Sequence, residues 1–380
     1  MKFIKKNLNF LDYKISFRNI YKSDVLILDE NISNLFFYNI KSFQIDKKEI
    51  FFFILLKSIL LNIINNKNDL KFYYYKLLLK IINPKVVICH TESEIILNCK
   101  RFCPQAKFIS YQLFWWPEKI QHYYKKKIEV LRKVFNNSDY FLIFSKEQKS
   151  FLDSIGLKDE KKIIIVGSVK NNEFNHIKRP YEYDILFISQ YRHEKKWDYI
   201  KNGNLIKDEK FKKSFFRNHK LIIKLLTSYC YLKDKKIQIA LASSRKDKKI
   251  NKKDELQFFN KICDDTFTND NRSTWELALV SKIIVTHASN IGLELDSSSH
   301  KVLFAPINDS ETKYLNKMIE SNNFPSQKDI NIIRELNETE LFKKLDILFK
   351  QKKKINKRKN KIFYDKNNKI LKKLVKTILK

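Results

Sequence analysis

Glycine and proline are scarce, at 4 and 6 in 380 residues, and methionine occurs only 2 times. A chain this poor in glycine has little material for a glycine-rich phosphate loop, and neither G-x-x-x-x-G-K-[ST] nor G-x-G-x-x-G occurs. H-E-x-x-H is missing too, and D-x-D is approached only by the adjacent pair Asp264-Asp265 and by Asp309-Ser-Glu311. His287 and His300 are too isolated to argue for a metal site, so no metal is expected. These absences argue against a P-loop ATPase, a fingerprint-bearing dehydrogenase and a zinc hydrolase. Cys89, Cys99, Cys103, Cys230 and Cys263 form an odd set without C-x-x-C spacing, which fits a reduced, cytoplasmic compartment. The start, Met1-Lys-Phe-Ile-Lys-Lys-Asn, has no apolar h-region. The most hydrophobic run, Ile50 to Ile64, carries Lys57 in its middle and is short of the ~20 residues that span a bilayer. It reads as a buried helix.

What is present is enough for two cores. Hydrophobic residues make up 43% and aromatics 14%, far from the composition of a disordered chain. The length exceeds what one core usually fills, so two domains and a short appendage are expected. The net charge of +34 suggests a polyanionic partner. Abundant Lys, Asn, Ile, Phe and Tyr beside scarce Gly and Pro equally suit a composition inflated by AT-rich codons, and both explanations stand.

Short β-like runs alternate with helical ones. Asp24–Asp29 reads as a strand, 50–64 and 70–82 as helices, the second stopped by Asn83-Pro84. Strands at 85–89, 106–111, 140–144 and 163–166 alternate with helices at 92–102, 118–135 and 146–154. The periodicity lapses between Ser168 and Tyr183, then resumes with strands at 184–189, 237–241, 282–286 and 302–305 among helices. Repeated strand-then-helix order implies parallel sheets covered on both faces. The expected fold is α/β: two Rossmann-like doubly wound domains, 1–172 and 181–349, facing across a cleft, followed by a basic helical tail, 350–380. That tail holds 14 Lys/Arg against the single acid Asp365. In it Ile370, Leu371, Leu374, Val375, Ile378 and Leu379 form an i, i+3, i+4 stripe, able either to lie on an anionic membrane or to pack on a domain.

The most informative segment is Lys282-Ile-Ile-Val-Thr286, His287-Ala-Ser289-Asn290-Ile-Gly292-Leu-Glu294. A strand running through a small polar turn into a helix offers free backbone amides and a helix dipole to an anion. Gly292 would let a phosphate approach the backbone, and Glu294 could accept hydrogen bonds from ribose hydroxyls. Plain N-capping by Ser289 or Asn290, with Glu294 favouring the dipole, explains the same residues.

The order Thr-x-x-Ser-x-x-Gly-x-Glu between strand and helix, followed by Lys301-Val-Leu-Phe304, resembles the donor segment of GT-B type glycosyltransferases, especially a bacterial O-antigen and surface-polysaccharide biosynthesis family. Asn83-Pro-Lys-Val-Val-Ile, Lys107-Phe-Ile-Ser-Tyr-Gln112, Gly167-Ser168 with Asn171-Asn172, and Ile188-Ser-Gln-Tyr-Arg192 extend the resemblance over roughly 83–306. It implies a nucleotide-sugar co-substrate held by the second domain, a glycan or lipid-linked acceptor, no further cofactor and no obligatory metal. Ser289, Asn290 and Gly292 would hold the diphosphate, and Glu294 the ribose. Where many relatives read Ser-Thr-x-Gly-x-Glu, Asn290 replaces Thr, and Leu295-Asp296 with a Ser-rich stretch replaces a small Ala-containing helix. It also implies work at the inner face of the plasma membrane, with residues 350–380 as the possible contact.

Arg192 is a second diphosphate candidate because guanidinium matches phosphate oxygens bidentately; Arg245 and Lys246 are weaker ones. The transfer needs a general base, and His90-Thr-Glu92-Ser-Glu94 starts where a strand stops, making His90 and Glu92 candidates. Thr91 or Ser93 capping the next helix is the competing explanation. Gln112 could line an acceptor pocket, and Trp115 and Trp116 could stack on a sugar or fill a core. Rival functions are a sugar-nucleotide epimerase on the same fold and a non-enzymatic basic protein. Lys-dominated charge without a readout motif gives no support for specific nucleic-acid binding.

Overall fold

The computed structural model describes residues 14–28, 40–45, 49–65, 70–91, 95–112, 128–174, 179–191, 198–201, 204–207, 209–242, 252–263, 270, 272–287, 289–298, 300–306, 313, 315–316, 331–351 and 365–380. The chain divides into two compact units, Met1–Glu173 with Phe363–Lys380, and Phe174–Ile362.

The first unit runs β1 (Lys14–Ser16), β2 (Val25–Ile27), β3 (Ser42–Gln44), β4 (Glu49–Phe51), α1 (Phe52–Ile64), α2 (Leu70–Ile82), β5 (Val86–His90), α3 (Ile95–Phe102), β6 (Lys107–Tyr111), α4 (Ile128–Asn137), β7 (Tyr140–Ile143), α5 (Lys146–Ser154), β8 (Ile163–Ile165) and α6 (Val169–Phe174). Six of the strands form one parallel sheet in the order β3-β2-β5-β6-β7-β8, and β1 pairs with β4. Strands buried on both faces need no alternation, which is why Val86-Val-Ile-Cys-His90 is buried at every position. One face packs Leu26, Val87, Phe108 and Phe141 against Leu78, Ile82, Val134 and Leu152 of the helices. Asn83, at a left-handed φ of 48°, and Pro84 end α2.

The other face of this sheet is covered from the far end of the chain. Leu371 and Val375 of the C-terminal helix (Lys369–Leu379) are fully buried against Val25, Ile27, Val86 and Ile88, with Ile370, Leu374, Ile378 and Leu379 packed around them. Asn172 fixes the approach: its Nδ2 donates to the Val166 carbonyl at 2.7 Å and to Asn368 Oδ1 at 3.0 Å, and its Oδ1 accepts from the Asp365 amide at 3.0 Å. Asn368 Nδ2 donates in turn to the Val169 carbonyl at 2.7 Å. Of the two readings of the apolar stripe, packing on a domain is the one the structure takes.

Two other expectations change. The polar lapse after Ser168 opens with α6, capped by Ser168 Oγ on the Asn171 amide and buried at Val169, Asn171 and Asn172. The helix at 50–64 forms as α1, but it is not a buried helix: it buries only Ile54, Ser58 and Asn62. No helix among the described residues is long and apolar enough to cross a membrane.

The second unit runs β9 (Tyr183–Ile188), β10 (Asp198–Lys201), β11 (Asn204–Lys207), α7 (Glu209–Leu232), β12 (Ile237–Ala240), α8 (Lys252–Cys263), α9 (Thr274–Leu279), β13 (Ser281–Thr286), α10 (Asn290–Ser297), β14 (Lys301–Phe304) and α11 (Glu338–Lys350). Its parallel sheet has the order β12-β9-β13-β14, and β10 and β11 form an antiparallel hairpin. Ile185, Phe187, Ile283 and Val285 alternate onto one face and pack on Ile222, Leu226, Phe259, Leu341 and Leu345 of α7, α8 and α11.

Because the C-terminal helix completes the first core, Leu371→Ala should destabilise the first unit by about 2–5 kcal/mol, the range for emptying a leucine site in a core. Urea unfolding of the full chain measures it; an unchanged midpoint would show that the helix is not packed.

Candidate functional site

In open parallel sheets, ligands collect beyond the carboxyl ends of strands where the strand order reverses direction. In the second sheet that point lies between β9 and β13, since the chain steps from β9 outward to β12 and then returns to the other side. Ser189 follows β9 there, and Thr286 ends β13.

The turn after Thr286 is held by its own hydroxyls. Thr286 Oγ1 and Ser289 Oγ lie 2.8 Å apart, and the Ser289 amide donates to the His287 carbonyl at 2.7 Å. Ser289 is extended (φ −108°, ψ 143°) and caps α10, its Oγ accepting from the Gly292 amide at 3.2 Å. The Leu293 amide returns to the Ser289 carbonyl at 3.2 Å. That leaves the amides of Asn290 and Ile291, both half-buried residues, with no hydrogen bond among the described residues. Two open amides at the positive end of a helix dipole favour an anion.

Gly292 serves a different purpose from the expected one. A Cβ there would sit 2.6 Å from Thr286 Cγ2 and 2.9 Å from Phe304 Cε1, so the missing side chain is what lets α10 lie close on β13 and β14. Its amide is taken by Ser289. Asn290 and Glu294 are four apart and share a helix face, and Glu294 is only 5% exposed. The departure at Asp296 is internally satisfied by Asn331 Nδ2, 3.0 Å from Asp296 Oδ1.

Glu255 was not foreseen. It is fully buried on α8, and its Oε1 accepts from Ser189 Oγ at 2.6 Å and from the Ala242 amide at 2.8 Å. Ser189 Oγ also accepts from the Tyr191 amide at 3.0 Å. One carboxylate oxygen thus ties together the ends of β9 and β12. The signal was in the sequence: Glu255 precedes Phe259 and Cys263 at i+4 and i+8, on the apolar stripe of an amphipathic helix.

His287 and His219 form a buried pair behind the turn. His287 Nδ1 lies 2.8 Å from the Ala305 carbonyl, which can only accept, so Nδ1 carries the proton. His287 Nε2 is then the acceptor for His219 Nδ1, 3.0 Å away. Burial pushes His287 down to about 4 despite the Ala305 bond that raises it, and burial followed by proximity to His287 holds His219 well below its usual value. Both are neutral at pH 7.

In the first sheet the reversal falls between β2 and β5, and His90 is the last residue of β5. The Thr91 amide donates to the Tyr111 carbonyl at 2.9 Å, while the buried Thr91 Oγ1 has no hydrogen bond, so Thr91 does not cap α3. Gln112 is a strut: its Nε2 donates to Gln148 Oε1 at 2.8 Å and its Oε1 accepts from the Phe144 amide at 3.1 Å. Glu92, Ser93, Glu94, Trp115, Trp116, Arg192, Arg245 and Lys246 lie outside the described residues. Arg272 is engaged at the opposite edge of the second sheet, bidentate to Glu182 at 2.9 and 2.6 Å and also bonded to Asp270. No group of three His, Cys, Asp or Glu that could hold a metal occurs among the described residues.

The model of a family described as "putative O-antigen biosynthesis protein" matches residues 125–378, more than half of the chain. Three solved structures share the fold. A UDP-N-acetylglucosamine 2-epimerase is 11% identical at a TM-score of 0.56, over 95% of this chain and 95% of that one. The UDP-GlcNAc 2-epimerase of Methanocaldococcus jannaschii is 12% identical at 0.53, over 93% and 99%. The S. aureus MnaA–UDP co-structure is 10% identical at 0.53, over 95% and 97%. No curated protein matches the chain by sequence. The likeness fixes the fold as α/β with parallel sheets of the GT-B type.

Two outcomes follow from this geometry. Gly292→Ala should cost about 1–3 kcal/mol through overpacking, and Thr286→Ser, which deletes the closest clashing methyl, should recover part of it in thermal unfolding. The histidine pair makes the second unit acid-sensitive. A depressed folded-state pKa adds stability that is complete above the unfolded value of about 6.5 and is lost as pH falls toward 4, at ~1.4 kcal/mol per pH unit for each histidine kept neutral. His219→Gln should flatten that slope by about one proton's worth in urea titrations at stepped pH; an unaltered slope would remove His219 from the account.

Proposed function

Because the chain belongs to this O-antigen biosynthesis protein family, we propose that it is a glycosyltransferase-like enzyme of bacterial surface-polysaccharide assembly, taking a sugar from a nucleotide diphosphate. The observation that carries the proposal is the pair of open amides at Asn290 and Ile291, set at the strand-order reversal of a parallel sheet. Those amides and the α10 dipole supply positive potential to a diphosphate without a metal ion. Ser289 contributes by fixing the turn, Gly292 by bringing α10 down onto the strands, and Glu294, on the face of Asn290, by accepting from ribose hydroxyls. Glu255 holds the ends of β9 and β12, and so sets where the chain leaves toward Arg192 and Arg245, which are proposed to reach the phosphates.

The acceptor hydroxyl must lose a proton as its oxygen attacks the anomeric carbon and the nucleotide diphosphate departs. His90, at the reversal point of the first sheet, and Glu92 are the proposed bases. A glycan or lipid-linked hydroxyl is the proposed acceptor. The second reading, epimerisation of a nucleotide sugar, is favoured by the epimerases that share the fold, and the amides serve it equally well. The two part on one assay. Incubated with UDP-GlcNAc and no acceptor, an epimerase inverts C2, which proton NMR reads directly, whereas a transferase leaves the configuration unaltered.

The binding test uses a position that tolerates its own probe. Asn290 is the first helical residue and follows an extended Ser289, a site where proline fits. Asn290→Pro removes one open amide and keeps the helix, so affinity for both UDP and inorganic pyrophosphate should fall about tenfold or more, with the melting temperature of the free protein held. Glu294→Gln should weaken UDP and spare pyrophosphate. A folded wild-type chain whose melting temperature ignores every nucleotide diphosphate and nucleotide sugar offered would overturn the proposal.

A further inference from the structure

Helix α1 is built inside out. Its buried positions, Ile54, Ser58 and Asn62, are spaced by four along one face, and two of the three are polar. Ser58 is fully buried and satisfies its hydroxyl within the helix, on the Ile54 carbonyl at 2.6 Å. The outward face is the apolar one: Phe53 is 69% exposed, Leu60 53%, Ile63 66% and Ile64 76%. With Leu56, 47% exposed, these side chains fall within an arc of about 100° at 100° per residue. Phe17, 65% exposed, extends the patch, its ring 5.1 Å from Phe52 and 6.5 Å from Phe53. A helix that faces water has the reverse arrangement.

The charge around the patch has one sign. Lys57 is exposed on α1 itself, and Lys71, Lys76 and Lys80 are exposed on the neighbouring α2. Among residues 49–65 and 70–82 the single carboxylate is Glu49, held by Arg18 through two contacts of 2.7 Å. An apolar face rimmed by cations and cleared of acids complements a surface that is apolar below and anionic above. The 13 residues of α1 extend about 20 Å, too short to cross a bilayer and suited to lying within its interface.

We propose that α1 docks this unit on an anionic lipid bilayer, with Phe53, Leu60 and Ile63 at the headgroup boundary and the α2 lysines against lipid phosphates. The C-terminal helix, the other amphipathic basic segment, has its apolar stripe occupied by the first sheet. The docking is independent of nucleotide binding and stands or falls separately.

The test is co-sedimentation of the full chain with phosphatidylcholine vesicles, with and without phosphatidylglycerol. Wild type should sediment with the anionic vesicles. Leu60→Glu/Ile63→Glu should lower the partition constant about tenfold or more with the melting temperature held. Lys373→Ala/Lys376→Ala removes the same net charge from exposed positions of the C-terminal helix and should lower it by far less. Ile63→Trp gives a second readout, a blue-shifted emission on anionic vesicles only. Equal losses in the two double variants would mean that bulk charge alone drives binding. A large fall in melting temperature of the glutamate variant, together with an indole emission from the Ile63→Trp variant that is blue-shifted without vesicles, would mean that the chain covers this face itself. A solution dimer that the glutamate variant dissociates, with no vesicle binding, would make the face a contact between two copies. Each of these three results overturns the proposal.

Discussion

Val25, Ile27, Val86 and Ile88 project from the face of the first sheet that the helices of the major core leave open, and burying them is the constraint on which the first unit depends. A parallel sheet exposed on one side would leave these β-branched side chains in water, each at roughly 1.5–3 kcal/mol when compared with full burial. Leu371 and Val375 supply the cover from nearly 200 residues away, and Asn172 and Asn368 meet 196 positions apart to hold them there. Every element between α6 and that last helix is therefore inserted between two parts of one core. Asn367 and Asn368, at left-handed φ of 56° and 50°, make the sharp entry into the last helix, a conformation asparagine accepts more readily than most residues.

The same packing logic explains the edge where the candidate site lies. Strand interiors in both sheets satisfy their backbone groups with one another, so unsatisfied polar groups can persist only beyond the strand ends. At β13 the turn is tightened by Thr286 and Ser289, and the close approach of α10 demands a residue without a side chain at 292. In the sequence that glycine reads as a phosphate contact. In the structure it is a spacing residue, and the anion-binding capacity sits one and two positions earlier, in amides that the cap leaves open. Behind them the neutral His219–His287 pair carries the turn's geometry into the core through the Ala305 carbonyl, one hydrogen bond fixing the tautomer of each ring in sequence.

Much of the architecture was legible because parallel strands announce themselves as short apolar runs. Val86-Val-Ile, Phe141-Leu-Ile and Ile283-Ile-Val are each bounded by polar residues, and Asn83-Pro84 stops α2 where it should. The three-residue strands β1, β3 and β4 were too short for any periodicity to register. The hairpin β10–β11 was legible and missed: Asn202-Gly203, the strongest short hairpin dipeptide, stands between its strands. Glu255 was missed because a carboxylate on an apolar stripe is discounted as a surface residue at the stripe's edge, whereas here two donors at the strand ends satisfy it. The docking of the last helix was beyond pattern reading altogether, since its partners are remote in sequence.

The two amphipathic helices of the first unit show why a one-sided distribution of apolar residues specifies that a partner exists without specifying which. The C-terminal helix turns Leu371 and Val375 onto a sheet and its lysines outward, the ordinary arrangement for a basic helix on a soluble core. Helix α1 sits on its own core through Ser58 and Asn62 and presents phenylalanine, leucine and isoleucine outward. In the sequence alone the first looks like the membrane-facing segment and the second like the buried one, because lysine content and mean hydropathy are the available signals. Burial reverses the assignment: an apolar face already closed by Val25 and Ile88 has no transfer free energy left to gain, while one still in water retains all of it.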